Sequence, residues 1–133
     1  MSALRLIVHC PDGVLLDAPV HAVRAEDRDG WFGILPGRRD LVATLPPGLV
    51  VLRDEAGEGY VAVSGGLLAL RDGTCRVLVR EARVARDVDE AARALAELRA
   101  AKRTRSARMR AIVERLEIEA LRRMARALPG GPR

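Results

Sequence analysis

The chain has 133 residues, of which 49% are apolar and 31% charged, and it carries a net charge of +5. This length and apolar content suffice for one compact domain with an appendage, and they exclude a disordered chain. No apolar run approaches the roughly 18 residues that a membrane-spanning helix needs. The two cysteines lack metal-binding spacing. We therefore expect a soluble, reduced, cytoplasmic protein with buried thiols.

The excess positive charge lies in the C-terminal third of the chain. Residues 1–86 hold 11 Arg and 11 acidic residues, whereas residues 87–133 hold 11 Arg, one Lys and 7 acidic residues. A basic tail is typical of proteins that bind nucleic acid, an acidic protein surface or a membrane surface. Because Lys102 is the only lysine, a general bias towards arginine explains this composition as well as phosphate binding does.

Short apolar segments separated by Gly, Pro and Asp fill residues 1–86 and predict β-strands. Residues 4–9 alternate with period 2, which indicates a half-buried strand, and a Pro-Asp-Gly turn follows. Further strands are predicted at 14–17 and 20–25, interrupted by Pro19, and then at 31–35 and 41–45.

Two hairpins complete this region. Segments 49–53 and 60–64 flank a polar loop, and segments 67–70 and 75–80 flank the turn pair Asp72 and Gly73. Seven or more short strands at close spacing predict an antiparallel β-sandwich or barrel and exclude an alternating α/β fold.

The pattern changes after Arg86 and predicts helix. Asp87 is placed to cap the helix, with Glu90 at the reciprocal position. Apolar residues recur at helical spacing over 88–98 and again over 109–128, whereas 101–108 is basic and has Thr104 and Ser106 as caps for a second helix. The pattern fits a two-helix hairpin or one long helix, with a stop at residues 129–132.

The sequence contains no recognisable catalytic set. Gly65 and Gly66 have no Lys after them, and Ala62 stands where a nucleophile elbow around Ser64 needs glycine. His9 lies far from His21 and from any cysteine pattern. A small enzyme with an unrecognised site remains one alternative.

Aromatic side chains are scarce, which bears on nucleic-acid binding. Trp31, Phe32 and Tyr60 are the only three in the chain, whereas single-strand binders offer several rings for bases to stack on. A basic nucleic-acid-binding module that uses the Arg-rich C-terminal helices remains the other alternative, and it predicts binding that falls steeply with salt.

Three motifs in order resemble a known family. Residues 30–38 read G-W-F-G-I-L-P-G-R, with leucines and Pro-Gly following by residue 48. Residues 60–66 read Y-V-A-V-S-G-G, and residues 77–82 lead into D-V-D-E at 87–90. Over about residues 3–90, this resembles the epsilon subunit of rotary F-type ATP synthases.

The resemblance implies a fold and a role. It implies an antiparallel β-sandwich of about ten short strands at 1–86 and a two-helix hairpin at 87–133. It also implies a non-catalytic central-stalk subunit that couples ion flow through the c-ring to ATP synthesis and restrains ATP hydrolysis through its C-terminal helices. The implied partners are the gamma subunit, the c-ring and the alpha and beta subunits, with no nucleic acid, metal or cofactor. Membrane association would arise only through the complex, at the cytoplasmic face of the bacterial plasma membrane.

The same resemblance suggests interface residues in the sandwich. Trp31, Phe32, Arg38, Arg39 and Asp40 lie in the segment that meets the gamma subunit or c-ring in the family. The family's usual His is Arg38 here, so Arg38, Arg39 and Asp40 would pair with different charges on the ring. Trp31 stands where many members have an acidic or small residue, and it is either an interface anchor in an exposed loop or a core residue of the sandwich.

The tail offers arginines for docking. Arg99, Arg103, Arg108, Arg115 and Arg122 would contact acidic surfaces of the catalytic subunits when the tail extends. The alternative is a solvated helix face that keeps the protein in solution.

The ATP motif of some family members is incomplete in this chain. Glu81, Asp89 and Arg93 remain, but the Arg comes one residue late and is turned about 100° on a helix. We therefore expect that the tail does not bind ATP.

Overall fold

The computed structural model describes residues 3–127 and contains ten strands followed by one helix. The elements are β1 Leu4–Cys10, β2 Gly13–Val20, β3 Ala22–Asp27, β4 Gly30–Ile34, β5 Leu41–Leu45, β6 Gly48–Asp54, β7 Gly57–Val63, β8 Gly66–Arg71, β9 Thr74–Val79, β10 Ala82–Ala85 and α1 Val88–Ala127.

The ten strands form two five-stranded sheets, which confirms the predicted sandwich. Sheet 1 has the strand order β2-β1-β9-β8-β5, and sheet 2 has the order β10-β7-β6-β3-β4. The core between them is made by alternate residues of both sheets, with Leu6, Val23, Ile34, Leu68 and Val77 fully buried. This alternation follows from the period of two along each strand.

One strand pair corrects the prediction of a wholly antiparallel sandwich. β1 pairs with β9 in parallel, with Leu6 opposite Cys75 and His9 opposite Leu78. A parallel pair needs a long crossover connection, and here the seven strands between β1 and β9 supply it. Local sequence patterns do not reveal such a pairing because the two partners lie more than 60 residues apart.

The sequence predicts an interruption of the second strand at Pro19, and the structure shows that this prediction is wrong. β2 runs through Pro19 to Val20 and lies at the edge of sheet 1, paired with β1 alone. An edge strand tolerates proline because its missing N–H costs no ladder hydrogen bond on the free side. The strand therefore continues where a central strand would end.

The hairpin predicted at Asp72 and Gly73 is confirmed. Arg71 pairs with Thr74, and the two turn residues have φ angles of 49° and 79°. Positive φ at both positions matches the twist of the flanking strands, and Gly73 adopts it without steric cost.

The C-terminal segment is one continuous helix, which corrects the predicted two-helix hairpin. α1 runs without interruption from Val88 to Ala127, and Asp87 caps it as expected, accepting a bond from Glu90 N at 2.8 Å. Residues 101–108 contain good helix formers and no Gly or Pro. The Thr104 hydroxyl donates to Ala100 O at 3.0 Å within this helix and so caps no second helix.

The chain divides into two compact units at Arg99 and Ala100. In the first unit, Ala91, Ala94 and Leu98 of α1 are buried, and the latter two cluster with Ala62 of β7. The second unit is the remainder of the helix. The predicted helix stop at residues 129–132 lies outside the described residues.

Gly66 marks a close backbone approach in sheet 1. A Cβ at this position would lie 2.1 Å from Leu78 O on the neighbouring strand β9 and 2.9 Å from a Val79 side-chain carbon. No side chain fits at such distances, so the Gly66–Val79 register requires glycine. At Gly33 on β4, by contrast, an added Cβ would have no heavy atom of the described residues outside its chain neighbours within 4 Å.

We expect Gly66→Ala to lower the free energy of unfolding by at least about 2 kcal/mol, because the added methyl forces β8 and β9 apart. Chemical denaturation monitored by far-UV circular dichroism measures this difference. The matched control Gly33→Ala should stay within about 0.5 kcal/mol of the parent chain. Equal stabilities for both variants would contradict the close approach.

Candidate interaction surfaces

The outer face of sheet 1 carries an apolar surface. Val14, Val42, Leu67 and Leu78 are 48–75% exposed, and the partly buried Ala69 lies among them. The strand register places Leu67 opposite Leu78, and Val42 opposite Ala69. We call these five residues the apolar face. A contiguous exposed apolar patch on a small domain typically marks an interaction site.

Polar residues lie within and beside this face. Arg76 Nη1 is 3.0 Å from His9 Nε2, across the parallel β1–β9 pair. Arg5 lies on the same strand as His9, and its Nε donates to Asp17 Oδ1 on β2 at 2.6 Å. Asp17 is therefore engaged by Arg5, whereas the excess positive charge of Arg76 remains next to the apolar face.

One end of the sandwich gathers the residues predicted to meet the c-ring. Arg38 Nη1 donates to Gly33 O at 3.0 Å, so this side chain folds back onto the free edge of β4. Asp40 Oδ1 accepts a bond from Asp72 N at 3.1 Å, which ties the 35–40 loop to the β8–β9 turn. Arg39 is exposed beside them.

A groove of about 570 Å³ opens at the same end. Its lining includes Pro36 of the loop and His21, with Asp54 and Glu55 from the β6–β7 turn. The end therefore presents both signs of charge around an apolar recess.

The two aromatic candidates of β4 point to opposite sides of sheet 2. Trp31 is 55% exposed and pairs with Glu26 across the β3–β4 ladder. Phe32 packs against the core. Of these two residues, therefore, only Trp31 is available to a partner through most of its ring, while Phe32 supports the sandwich.

The first turns of α1 are fastened to sheet 2 by polar contacts. Arg99 Nη2 donates to Pro47 O at 3.1 Å, and Arg83 forms an ion pair with Glu97. Arg99, one of the five arginines predicted to dock on a partner, holds the helix to the sandwich in this structure. Since Leu98 is buried beside it, the fastening combines apolar and polar contacts.

The three residues of the incomplete ATP motif lie near the start of α1 in sequence. Glu81 follows β9 and is linked to Ser64 by two hydrogen bonds: Ser64 N donates to Glu81 O at 3.0 Å, and Glu81 N donates to the Ser64 hydroxyl at 3.1 Å. Asp89 and Arg93 lie four residues apart on exposed turns of the helix. The expectation that the tail does not bind ATP stays a prediction.

Residues 100–127 form a strongly basic helix with its own apolar stripe. They include nine basic and three acidic residues, a net charge of +6. Arg108, Arg115 and Arg122 recur every seven residues and so share one side of the helix, whereas Arg103 lies on another. The exposed large apolar residues are Met109, Ile112, Val113, Leu116, Ile118, Leu121 and Met124.

The described residues offer little for catalysis. Between residues 3 and 127, no group of three or more His, Cys, Asp or Glu side chains is arranged to hold a metal ion. Burial raises the pKa of the Cys75 thiol to about 12, and burial followed by the charge of Asp12 raises that of Cys10. Because the thiolate is the reactive form, neither environment activates a nucleophile. Within the same residues, no helical segment combines the length and apolarity that crossing a bilayer requires.

The residues of the apolar face are not among the predicted interface residues, although the sequence carries a signal for them. β8 and β9 carry large apolar residues at positions of both parities, with Leu67 and Leu68 adjacent on β8 and Val77 beside Leu78 on β9. In a sandwich strand, one parity faces the core and the other faces outward. Large apolar residues at both parities therefore indicate that the outer face of these strands is apolar as well as the inner one.

The chain resembles proteins of one family. The family model described as the beta-sandwich domain of the ATP synthase delta/epsilon chain matches residues 3–85. The ATP synthase epsilon chain of Anoxybacillus flavithermus is 37% identical over 103 residues, which cover 77% of each chain. The epsilon chain of Bacillus subtilis is 33% identical over 106 residues, or 80% of each chain.

Two solved structures share the fold. A chain of the mitochondrial ATP synthase of Euglena gracilis, in a structure of its OSCP, F1 and c-ring, aligns with a TM-score of 0.59 and 28% identity. That alignment covers 75% of this chain and 66% of the other. A chain from the central stalk and c-ring of Tetrahymena thermophila aligns with a TM-score of 0.51 and 18% identity, covering 60% and 65%. The second likeness shows the fold alone.

We expect stability to fall at alkaline pH through Cys75. Its pKa is near 12 in the folded chain but about 8.5 to 9 when unfolded, so the unfolded state loses its proton first. The contribution is complete below the unfolded pKa and declines as pH rises towards 12. Between pH 8 and pH 10, the parent chain should lose about 1 to 2 kcal/mol more than Cys75→Ala does. Urea unfolding at both pH values measures this, and parallel losses would contradict it.

Proposed function

This chain belongs to the ATP synthase delta/epsilon family, and we propose that it acts as the epsilon subunit in the central stalk of an F-type ATP synthase. It is a non-catalytic subunit. The observation that carries its role as a docking component is the apolar face on a sandwich whose core is already complete. A surface of this kind is stable in a complex and costly to leave in water.

The gamma subunit is the partner proposed for the apolar face. The exposed residues of this face lie on four of the five strands of sheet 1, so a partner that covers them would contact most of the width of the sheet. These residues are Val14, Val42, Leu67 and Leu78. A rotor component has to transmit torque, and a close-packed sandwich resists deformation better than a linker does. Attachment through a sheet face suits that requirement.

The c-ring is the partner proposed for the end that carries the 35–40 loop. Arg39 is exposed there, Asp40 is held by Asp72 N, and Arg38 is held by Gly33 O, so the loop is ordered before any partner arrives. Trp31 lies on β4, two residues from Gly33, and provides an exposed aromatic anchor nearby. Ion flow through the ring would be coupled to ATP synthesis through this contact. The complex would hold the chain at the cytoplasmic face of a bacterial plasma membrane.

The second half of α1 is proposed to restrain ATP hydrolysis. Its apolar stripe and net charge of +6 suit the alpha and beta subunits if their facing surfaces are acidic, with Arg108, Arg115 and Arg122 as contacts. Arg103 lies on another side of the helix and would contact a separate surface. The continuous helix would be the docking form. The two-helix hairpin, bent within residues 100–108, would be a second form that covers the stripe within the chain itself.

The experiment that tests the gamma contact compares two exposed apolar residues. Leu78 is 48% exposed on the apolar face, and Val84 is 46% exposed on β10 of sheet 2. Leu78→Asp should weaken binding to the purified gamma subunit by about tenfold or more, because it buries a charge against an apolar surface. Isothermal titration calorimetry gives the Kd. Val84→Asp should bind like the parent chain, and a pattern in which only Val84→Asp weakens binding would move the interface to sheet 2.

Two truncations separate the roles of the two halves of α1. A chain that ends at Arg99 keeps Leu98 buried and should unfold like the parent, while the complex that contains it hydrolyses ATP faster. A chain that ends at Arg86 uncovers Ala62 and should lose about 2 kcal/mol of stability. Thermal unfolding and a coupled ATPase assay measure both effects. Equal hydrolysis rates for the full chain and the chain ending at Arg99 would show that the tail does not restrain the enzyme.

A further inference from the structure

A polar pair lies within the apolar surface of sheet 1. Because β1 and β9 are parallel, His9 faces Leu78 and Ile7 faces Arg76, so His9 and Arg76 are diagonal neighbours. Arg76 Nη1 lies 3.0 Å from His9 Nε2. The pair stands between Leu78 on one side and Val14, opposite His9 on β2, on the other.

The chemistry of the two groups fixes the direction of their hydrogen bond. A guanidinium has five N–H donors and no acceptor, so His9 Nε2 has to accept from Arg76. The neutral imidazole then carries its proton on Nδ1, which is also a donor. The acceptor of the pair, His9 Nε2, is therefore already occupied by Arg76. What the pair presents to a covering surface is N–H donors and the positive charge of Arg76.

Neighbouring acids do not neutralise this charge within sheet 1. Asp17, opposite Ile7 on β2, already accepts from Arg5 at 2.6 Å. Arg71 lies at the end of β8 on the same side of the sheet as Leu67, since both have the same parity along the strand. The outer face therefore carries excess positive charge in the middle of an apolar surface.

We propose that the surface that covers the apolar face contributes a carboxylate that accepts hydrogen bonds from Arg76. The proposal rests on the proposed function, in which that surface belongs to the gamma subunit. The free energy needed to bury a guanidinium without an acceptor exceeds the free energy gained from the surrounding apolar contacts, so a purely apolar partner would not bind. The His9–Arg76 pair thus selects the partner and sets its register, while the leucines and valines supply contact area.

The test measures binding of the purified gamma subunit to full-length variants. Arg76→Gln should raise the Kd by about thirtyfold, because it leaves a buried carboxylate without its charged partner. Arg76→Glu should raise the Kd further, since it opposes two carboxylates. The control Arg28→Gln removes the same charge from the exposed β3–β4 turn and should change the Kd by less than about twofold.

Salt dependence distinguishes a charge contact from lost packing. Salt screens charge contacts, so the Kd of the parent chain should rise when the NaCl concentration is increased about tenfold, from roughly 50 to roughly 500 mM. The Kd of Arg76→Gln should rise less steeply over the same range. Three results would each contradict the proposed carboxylate. They are a Kd for Arg76→Gln within about twofold of the parent, an equal Kd for the Gln and Glu variants, and a salt dependence that is the same for Arg76→Gln and the parent. If Leu78→Asp weakens binding in that case, the gamma contact on the apolar face stands without it. If Leu78→Asp also binds like the parent, the proposed contact itself fails.

Discussion

The parallel pairing of β1 with β9 is the constraint on which the rest of sheet 1 depends. β1 has β2 on one side and β9 on the other, so it lies inside the sheet although it begins the chain. Forming this pair closes a long loop of chain, because the partners are distant in sequence. Once it forms, residues of β8, β9, β1 and β2 create a single outer surface. The apolar face and the His9–Arg76 contact are consequences of this pairing.

The residues around the β7–β8 turn serve that same sheet. Gly66 allows β8 to approach β9 at a distance that no side chain permits. Ser64 is buried, its N donates to Glu81 O, and its hydroxyl accepts from Glu81 N at 3.1 Å. The motif at residues 64–66 therefore joins the end of β9 to the turn that begins β8. These contacts give the motif a structural role in this chain.

The helix combines two segments with different physical characters. Up to Arg99, its apolar side is covered, and Arg83 and Pro47 hold its charged groups. From Ala100, the helix carries exposed apolar residues and a dense positive charge. Residues 101–108, which are mainly Ala, Arg and Lys, lie between the covered part and the exposed apolar residues and favour helix through propensity. A segment with so few packing contacts is the one whose conformation partners can change at low cost.

Local patterns in the sequence determined the strands, most turns and the helix start. The period of two, the Asp72 and Gly73 turn and the Asp87 cap each depend on neighbouring residues, so they could be predicted without a structure. The tertiary structure decided the parallel β1–β9 pair, the edge position that lets β2 pass through Pro19, and the burial of Leu98. It also gave Arg38 and Arg99 internal partners and brought Val14, Leu67 and Leu78 onto one surface. These features join residues that are distant along the chain, and spacing in the sequence carries no information about which strands become neighbours.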